Sequence, residues 1–427
     1  MPSRSPSSLR RVRAVRRALL AGACALPPCR AAVAQRPAPA AVAPASAGLV
    51  IRLRVPAATP AGAAIYVAGT FNNWNPGDSA YRLASAGADY VVALPESVRG
   101  SIAFKFTLGS WDRVEVDSAG GDVPNRTFTV PPTGSATYVG TVAGWRTGPP
   151  PPRPHTARPS VSILDTAFEM PQLGRTRRVW LYLPPGYATS GRRYPVLYLQ
   201  DGQNVFDAAT SFAGEWGVDE TLDSLRAAGD PGVIVVAVDH GGTHRMDEYQ
   251  PWRATMAAYG GGEGTPYVDF LVRTLKPYID SHFRTRRGRL DTGIGGSSLG
   301  GIISLYAVLR YPDVFGRALV FSAPFFLDPQ LFAMARAYRP RTGATRFWLD
   351  TGLNEGTTEP GLPHRTMARS LQAMVDTLAA AGVDTARDVR ARLPADGAHA
   401  EWFWRREFPA AYRWLFAAAD RGGGGHR

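Results

Sequence analysis

The stretch that most constrains this chain is Leu290-Asp-Thr-Gly-Ile-Gly-Gly-Ser-Ser-Leu-Gly-Gly301, followed at once by Ile302-Ile-Ser-Leu-Tyr-Ala-Val-Leu-Arg310. A short run enters the glycines, and an apolar segment with helical spacing leaves them. Within it, Gly296-Ser-Ser-Leu-Gly300 fits G-x-S-x-G, the pattern of a sharp strand-to-helix turn that presents a serine hydroxyl. Such a serine must stand clear of the sheet edge, so the residues two before and two after it must be nearly free of side chain. Gly296 and Gly300 meet that need, which makes Ser298 the candidate nucleophile. The turn also aims the first N–H groups of the helix, with their partial positive charge, at the point where an oxyanion would form.

The surrounding chain has the matching alternation. Apolar β runs at 176–183, 194–199, 232–238, 290–294, 317–322, 345–350 and 389–393 alternate with helical segments at 267–279, 301–310, 364–381 and 401–418. This is the signature of a mostly parallel sheet with helices on both faces, and with the serine turn it predicts an α/β-hydrolase fold over 161–420. Residues 48–146 differ. Short alternating runs at 49–55, 64–68, 90–94, 102–106 and 126–130, separated by Gly, Pro, Asn and Asp clusters, predict a small β-sandwich of immunoglobulin-like type. Residues 147–160, with Gly148-Pro-Pro-Pro-Pro-Arg-Pro154, read as a semi-rigid proline-rich linker.

Residues 1–34 have a basic segment, an apolar core and Ala32-Val-Ala34, the layout of a secretory signal peptide that would place the mature chain outside the cytoplasm or in the periplasm. The apolar core is too short to span a bilayer, so no integral membrane segment is expected. A proline- and alanine-rich spacer follows at 35–47, and 421–427 is a frayed tail. Both cysteines, Cys24 and Cys29, lie in the leader, so the mature chain would hold no disulfide, cysteine nucleophile or cysteine-ligated metal. The formal charge of +13 is concentrated there too: seven arginines and no acidic residue occupy the first 30 positions. The rest of the excess is spread without a basic stripe, which argues against a nucleic-acid partner.

A serine is a poor nucleophile at neutral pH and needs a base, itself oriented by a carboxylate. Downstream of Ser298 stand His364, His399 and His426. His426 is in the tail and His364 opens a helix; His399 lies in a loop directly after a strand, where the base is expected. The acid belongs on the loop after Phe347-Trp-Leu-Asp350, where Asp350 and Glu355 compete. Glu355, beyond the glycine, is better placed to reach across to histidine. An oxyanion hole would combine the N–H of Leu299 with one from the loop after 196–199, where Gln203 is the candidate. His240 and His244 have i, i+4 spacing, but Gly241 and Gly242 break any helix between them, so no metal is expected. Gly260-Gly-Gly-Glu-Gly264 lacks G-K-[ST] and Rossmann spacing, so no cofactor is implied.

Residues 168–418 resemble the Putative esterase family, which includes esterase D, feruloyl esterase, enterochelin esterase and mycolyltransferase relatives. The resembling blocks are Leu181-Tyr-Leu-Pro-Pro-Gly-Tyr187, Tyr194 to Asp207, Arg245-Met-Asp-Glu-Tyr249, Leu275-Lys-Pro-Tyr-Ile-Asp280, Gly295 to Gly301, Asp350 to Glu355 and Gly397-Ala-His399. The resemblance implies Ser298 as nucleophile, His399 as base, Glu355 as acid, and Gln203 and Leu299 as oxyanion donors. Family members often carry aspartate where Glu355 stands.

Residues 48–146 resemble the starch- and glycogen-binding modules of carbohydrate-binding module families 20 and 48. The matching residues are Gly69-Thr-Phe-Asn-Asn-Trp-Asn-Pro76, Phe104-Lys-Phe106 and Pro124-Asn-Arg-Thr-Phe-Thr-Val130. By resemblance Trp74 and Lys105 would hold a sugar; Val116 stands where a second tryptophan is usual, with Trp111 nearby. The module would either bind a glucan or serve as a structural β-domain. The expectation is a secreted serine esterase acting on carbohydrate-linked esters. A siderophore esterase, an acyltransferase, and a carbohydrate-binding protein with an inactive hydrolase domain are the alternatives.

Overall fold

The computed structural model describes residues 48–416, apart from 73, 150–151, 213, 254–259, 354 and 356–364. The leader, the spacer, Cys24, Cys29, His364 and the tail with His426 lie outside the described residues. The described residues belong to one compact unit that contains two large sheets with separate hydrophobic cores.

The first sheet uses β1 (Leu49–Arg54), β2 (Ile65–Gly69), β3 (Arg82–Ala86), β4 (Asp89–Leu94), β5 (Gly100–Thr107), β7 (Arg126–Val130) and β8 (Ala136–Thr141), in the order β7-β5-β2-β3-β4-β1-β8. Short strands β6 (Glu115–Val116) and β9 (Gly144–Trp145) pair beside it. Period-two alternation builds the core: Leu49, Ile51 and Leu53 are buried while Arg52 and Arg54 face water, and Phe104 and Phe106 come in from β5. Strand β3 pairs with β2 through Leu83 and with β4 through Ala84 to Ala86, joining two halves of the array. Sequence patterning predicts five of these strands. It misses β3 and β8 because each fully buries only one residue, Leu83 and Gly140, so their sequences carry no apolar alternation to detect.

The second sheet comprises β10 (Val161–Met170), β11 (Arg175–Tyr182), β12 (Val196–Leu199), β13 (Ile234–Val238), β14 (Thr292–Ser297), β15 (Arg317–Phe321), β16 (Arg346–Asp350) and β17 (Val389–Arg392). Its order is β10-β11-β13-β12-β14-β15-β16-β17. Strands β10, β11 and β13 pair antiparallel, and all pairs from β13 to β17 are parallel. Helices α1 (Val218–Ala227), α2 (Arg245–Glu248), α3 (Gly264–Phe270), α4 (Lys276–His282), α5 (Leu299–Arg310), α6 (Pro329–Ala337), α7 (Thr366–Ala380), α8 (Thr385–Asp388) and α9 (Glu401–Phe416) complete the domain. Along β15 successive side chains go to opposite cores: Ala318 and Val320 pack in the one that contains Ile302 and Leu371, Leu319 and Phe321 in the one that contains Leu222 and Phe408. Both faces are thus covered by helices, and the fold is of α/β-hydrolase type. Helix α5 is buried from Leu299 to Leu309, as a helix apolar on all sides must be.

Two further features depart from the sequence expectation. Strand β10 escapes patterning because it is an edge strand that buries only Phe168 and Met170 and is interrupted at Asp165. The end of the proline-rich linker is also fastened in place. Arg153 donates to the Ser211 carbonyl at 2.8 Å, His155 Nδ1 lies 2.7 Å from Asp207 Oδ2, and the Arg158 N–H donates to Asp219 at 2.7 Å. Among the described residues no helix is long and apolar enough to cross a membrane.

Candidate active site

Strand β14 lies in the middle of the parallel array, and its last residue, Ser297, is buried. The chain then turns at Ser298 (φ 56°, ψ −128°) directly into α5. A non-glycine residue at such a φ is strained and needs the surroundings to hold it. The Ser298 N–H donates to the Phe321 carbonyl at 2.9 Å, and the Ser298 carbonyl accepts from Gly301 N–H at 3.0 Å. A Cβ on Gly296 would stand 2.8 Å from the Gly300 backbone, and one on Gly300 would come within 3.1 Å of the Gln200 side chain, so both glycines of the motif are required by their surroundings. The Ser298 side chain is half-buried, and its hydroxyl makes no hydrogen bond among the described residues.

Beyond β16, Glu355 is buried. Its Oε1 accepts from the Gly352 N–H at 2.6 Å and the Ser322 hydroxyl at 2.9 Å, and its Oε2 lies 3.0 Å from His399 Nδ1. A carboxylate only accepts, so the proton between them belongs to Nδ1, which leaves Nε2 as the basic nitrogen. The ring of His399 packs edge-on against Trp404, with centroids 5.3 Å apart. Trp404 Nε1 in turn donates to Ser322 Oγ at 2.9 Å. The acid and histidine loops approach closely: a Cβ on Gly352 would collide with the Gly397 carbonyl. The structure therefore brings Glu355 and His399 together. It shows no hydrogen bond between Ser298 and His399, a contact that often tightens only when substrate is bound.

Asp350, the competing acid, is fully buried elsewhere. Its Oδ2 accepts from Trp348 Nε1 at 3.1 Å and its Oδ1 has no hydrogen-bond partner among the described residues. Burial is the main cause that pushes its carboxyl up to about 8. The native state keeps a proton that the unfolded chain has lost above its ordinary carboxylate pKa, so this group lowers stability as pH rises from about 4 to about 8. Asp350→Asn is expected to remove that fall, on the order of a few kcal/mol of pH-dependent unfolding free energy, in denaturant melts at pH 5 and pH 9.

Leu299 is the first residue of α5, and Gln203 lies in the turn Gly202–Asn204 after β12. Neither backbone N–H donates a hydrogen bond among the described residues. The Gln203 side chain is engaged, its Oε1 accepting from His240 N–H at 3.1 Å. Gly202 can be nothing larger, because a Cβ would stand 2.9 Å from the β13 backbone end at Val238 and Asp239. Asp201, in left-handed conformation at φ 54°, starts this turn and grips Arg245 through both carboxylate oxygens, at 2.7 and 2.9 Å. An added Cβ at Gly300 would come within 3.2 Å of that carboxylate, so the pair lies directly under the serine turn.

Ser322, Trp404, Asp201 and Arg245 brace these loops; Asp201 and Arg245 fall in resembling blocks that do not pair them, and Ser322 and Trp404 belong to no motif. Their partners lie 33, 82 and 44 positions away, a separation no local pattern records. The end-of-strand position of Ser322 and the aspartate before the Gly202 turn are the signals that could have drawn attention to them. His240 and His244 are not on one helix: a short 3₁₀ turn spans Gly242–His244, and His240 Nδ1 accepts from Gly242 N–H at 2.9 Å. Among the described residues no group of three or more His, Cys, Asp or Glu could hold a metal.

In the first sheet, the loop Gly69 to Asn75 is tied by the Asn72 side chain, which accepts from Gly69 N–H at 2.9 Å and donates to the Val67 carbonyl at 3.2 Å. This holds Trp74 at φ 56° with its ring 6.3 Å from that of Trp111, at an interplanar angle of 41°. Trp111 is 37% exposed. Lys105 is half-buried on β5, opposite Ala68. Val116 is buried against β9 and offers no surface to a ligand.

The model of the Putative esterase family matches residues 170–415. The uncharacterized protein YbbA of Bacillus subtilis is 25% identical over 245 residues, covering 56% of this chain and 92% of YbbA. An iron(III) enterobactin esterase of Dickeya dadantii is 29% identical over 280 residues, 62% of this chain and 57% of that enzyme. An alpha-amylase of Niallia circulans is 40% identical over 105 residues, 24% of this chain and only 8% of the amylase. The chain thus spans little more than half of the enterobactin esterase and less than a tenth of the amylase.

Proposed function

The chain belongs to the Putative esterase family, and on that premise we propose that it is a secreted serine esterase that cleaves carboxylic esters through an acyl-enzyme on Ser298. The observation that carries the mechanism is the 3.0 Å contact between His399 Nδ1 and Glu355 Oε2, across the loops that flank a strained serine turn. His399 Nε2 takes the proton of Ser298 as Oγ attacks the ester carbonyl. The tetrahedral oxyanion is received by the Leu299 and Gln203 N–H groups, which have no competing acceptor among the described residues. Collapse expels the alcohol, which leaves with the proton from Nε2. Water, deprotonated by the same nitrogen, then attacks the acyl carbonyl and frees Ser298. Glu355 keeps Nδ1 protonated and the ring oriented throughout.

The substrate class in this proposal is an ester borne on a carbohydrate. Its support is the Trp74–Trp111 pair, because a pyranose is held by stacking its C–H face on exposed rings and two rings hold it better than one. The amylase match has about the length of 48–146. The full chain is expected to be retained by insoluble starch, and Trp74→Ala/Trp111→Ala to lose at least about tenfold of that affinity, with turnover of a soluble short-chain ester unchanged. The match to an enterobactin esterase favours a second reading, a siderophore lactone. Parallel assays on acetylated or feruloylated oligosaccharides and on enterobactin separate the two. A preference for enterobactin by a factor of 100 or more in kcat/KM, on the order of 3 kcal/mol in transition-state binding, would overturn the carbohydrate reading.

A further inference from the structure

We propose that this chain has a second ligand site, an organic-oxyanion pocket built on Arg317 at the end of the parallel sheet opposite the catalytic loops. There the first residues of β15 and β16, Arg317 and Arg346, border an open pocket of about 530 Å³, within the usual size range for small-molecule sites. Its walls mix apolar surface from Leu290 and Val383 with guanidinium groups, including Arg341.

Arg317 is 6% exposed. Its Nη1 donates to the carbonyls of Gly316 at 2.8 Å and Ala344 at 3.2 Å, and its Nε is sealed from solvent and has no partner among the described residues, which leaves Nη2 as the donor for a ligand. It forms no ion pair among the described residues. The carboxylates that line the pocket are already used: Arg387 binds Asp388 at 2.7 Å and reaches Asp384 at 3.8 Å. Burial, and then the positive charges of Arg346 and Arg289, push the Arg317 guanidinium down to about 10. Asp291 and Asp388 attract this cation from a distance without forming an ion pair with it, and a guanidinium recognises a carboxylate or phosphate through charge-assisted hydrogen bonds. The ligand that answers this chemistry carries such a group on a carbon body that covers the apolar wall.

The experiment is isothermal titration of the full chain, at low ionic strength, with citrate and separately with inorganic phosphate, beside Arg317→Met and Arg341→Ala. Wild type is expected to show one saturable site for at least one of the two anions. Saturation by citrate alone assigns carboxylates, by phosphate alone phosphate esters, and by both the shared oxyanion chemistry. Arg317→Met is expected to weaken binding at least about tenfold, the effect of losing a charge-assisted contact, while ester turnover stays at the wild-type level. Arg341 is 45% exposed at its side chain, so Arg341→Ala keeps the fold and decides the matter if Arg317→Met does not fold; an effect of about threefold is expected. Absence of saturable binding of either anion to wild type overturns the proposal. So does a titration that neither folded variant alters.

Discussion

Ser298→Ala is expected to lower kcat for p-nitrophenyl acetate by about 10⁴-fold or more, with little change in KM. The hydroxyl has no structural partner among the described residues, so its removal leaves the turn, the helix and the binding surface in place and takes away only the attacking atom. Ser297→Ala is the matched control. Ser297 ends β14 with its side chain buried, away from the tip of the turn, and its loss should cost less than about tenfold. Comparable losses in the two variants would mean that damage to the turn, not removal of a nucleophile, explains the effect.

Glu355→Gln is the second large effect, expected to reduce kcat by about 10³- to 10⁴-fold. The amide keeps the volume and one acceptor for Gly352 and Ser322, but it no longer guarantees an acceptor opposite Nδ1, and the histidine can adopt the wrong tautomer. Asp350→Asn should leave kcat within about threefold, because that carboxyl is already held as the neutral acid by burial and makes no hydrogen bond to a histidine. If Asp350→Asn proved the more damaging of the two, the acid would have been assigned to the wrong side of Gly352.

What could be read from the sequence was what local chemistry encodes. The glycine spacing around Ser298 fixes the turn because two backbones meet there within van der Waals distance. The pair His399 and Glu355 follows from chain order, since each occupies the loop after a parallel strand and all such loops open at one end of the sheet. The support of that pair was not readable. Ser322 reaches Glu355 and receives Trp404 only after β15, β16 and α9 have been packed side by side, and Asp201 meets Arg245 across a similar gap. Strands β3, β8 and β10 were missed for a related reason: each buries few residues, so its position is set by partners and not by its own pattern. In the first sheet the tryptophan that resemblance places at Val116 is absent, and Trp111 supplies a ring beside Trp74 from a neighbouring loop.

The most direct measurement is the site of covalent modification. The full chain, treated with a fluorophosphonate that phosphonylates activated serines, is digested and sequenced by mass spectrometry, beside His399→Ala. One adduct per chain is expected, on Ser298, formed at least about 10²-fold more slowly in the His399 variant. An adduct on Ser297 or on any other serine, or ester turnover that survives complete modification of Ser298, would contradict that assignment.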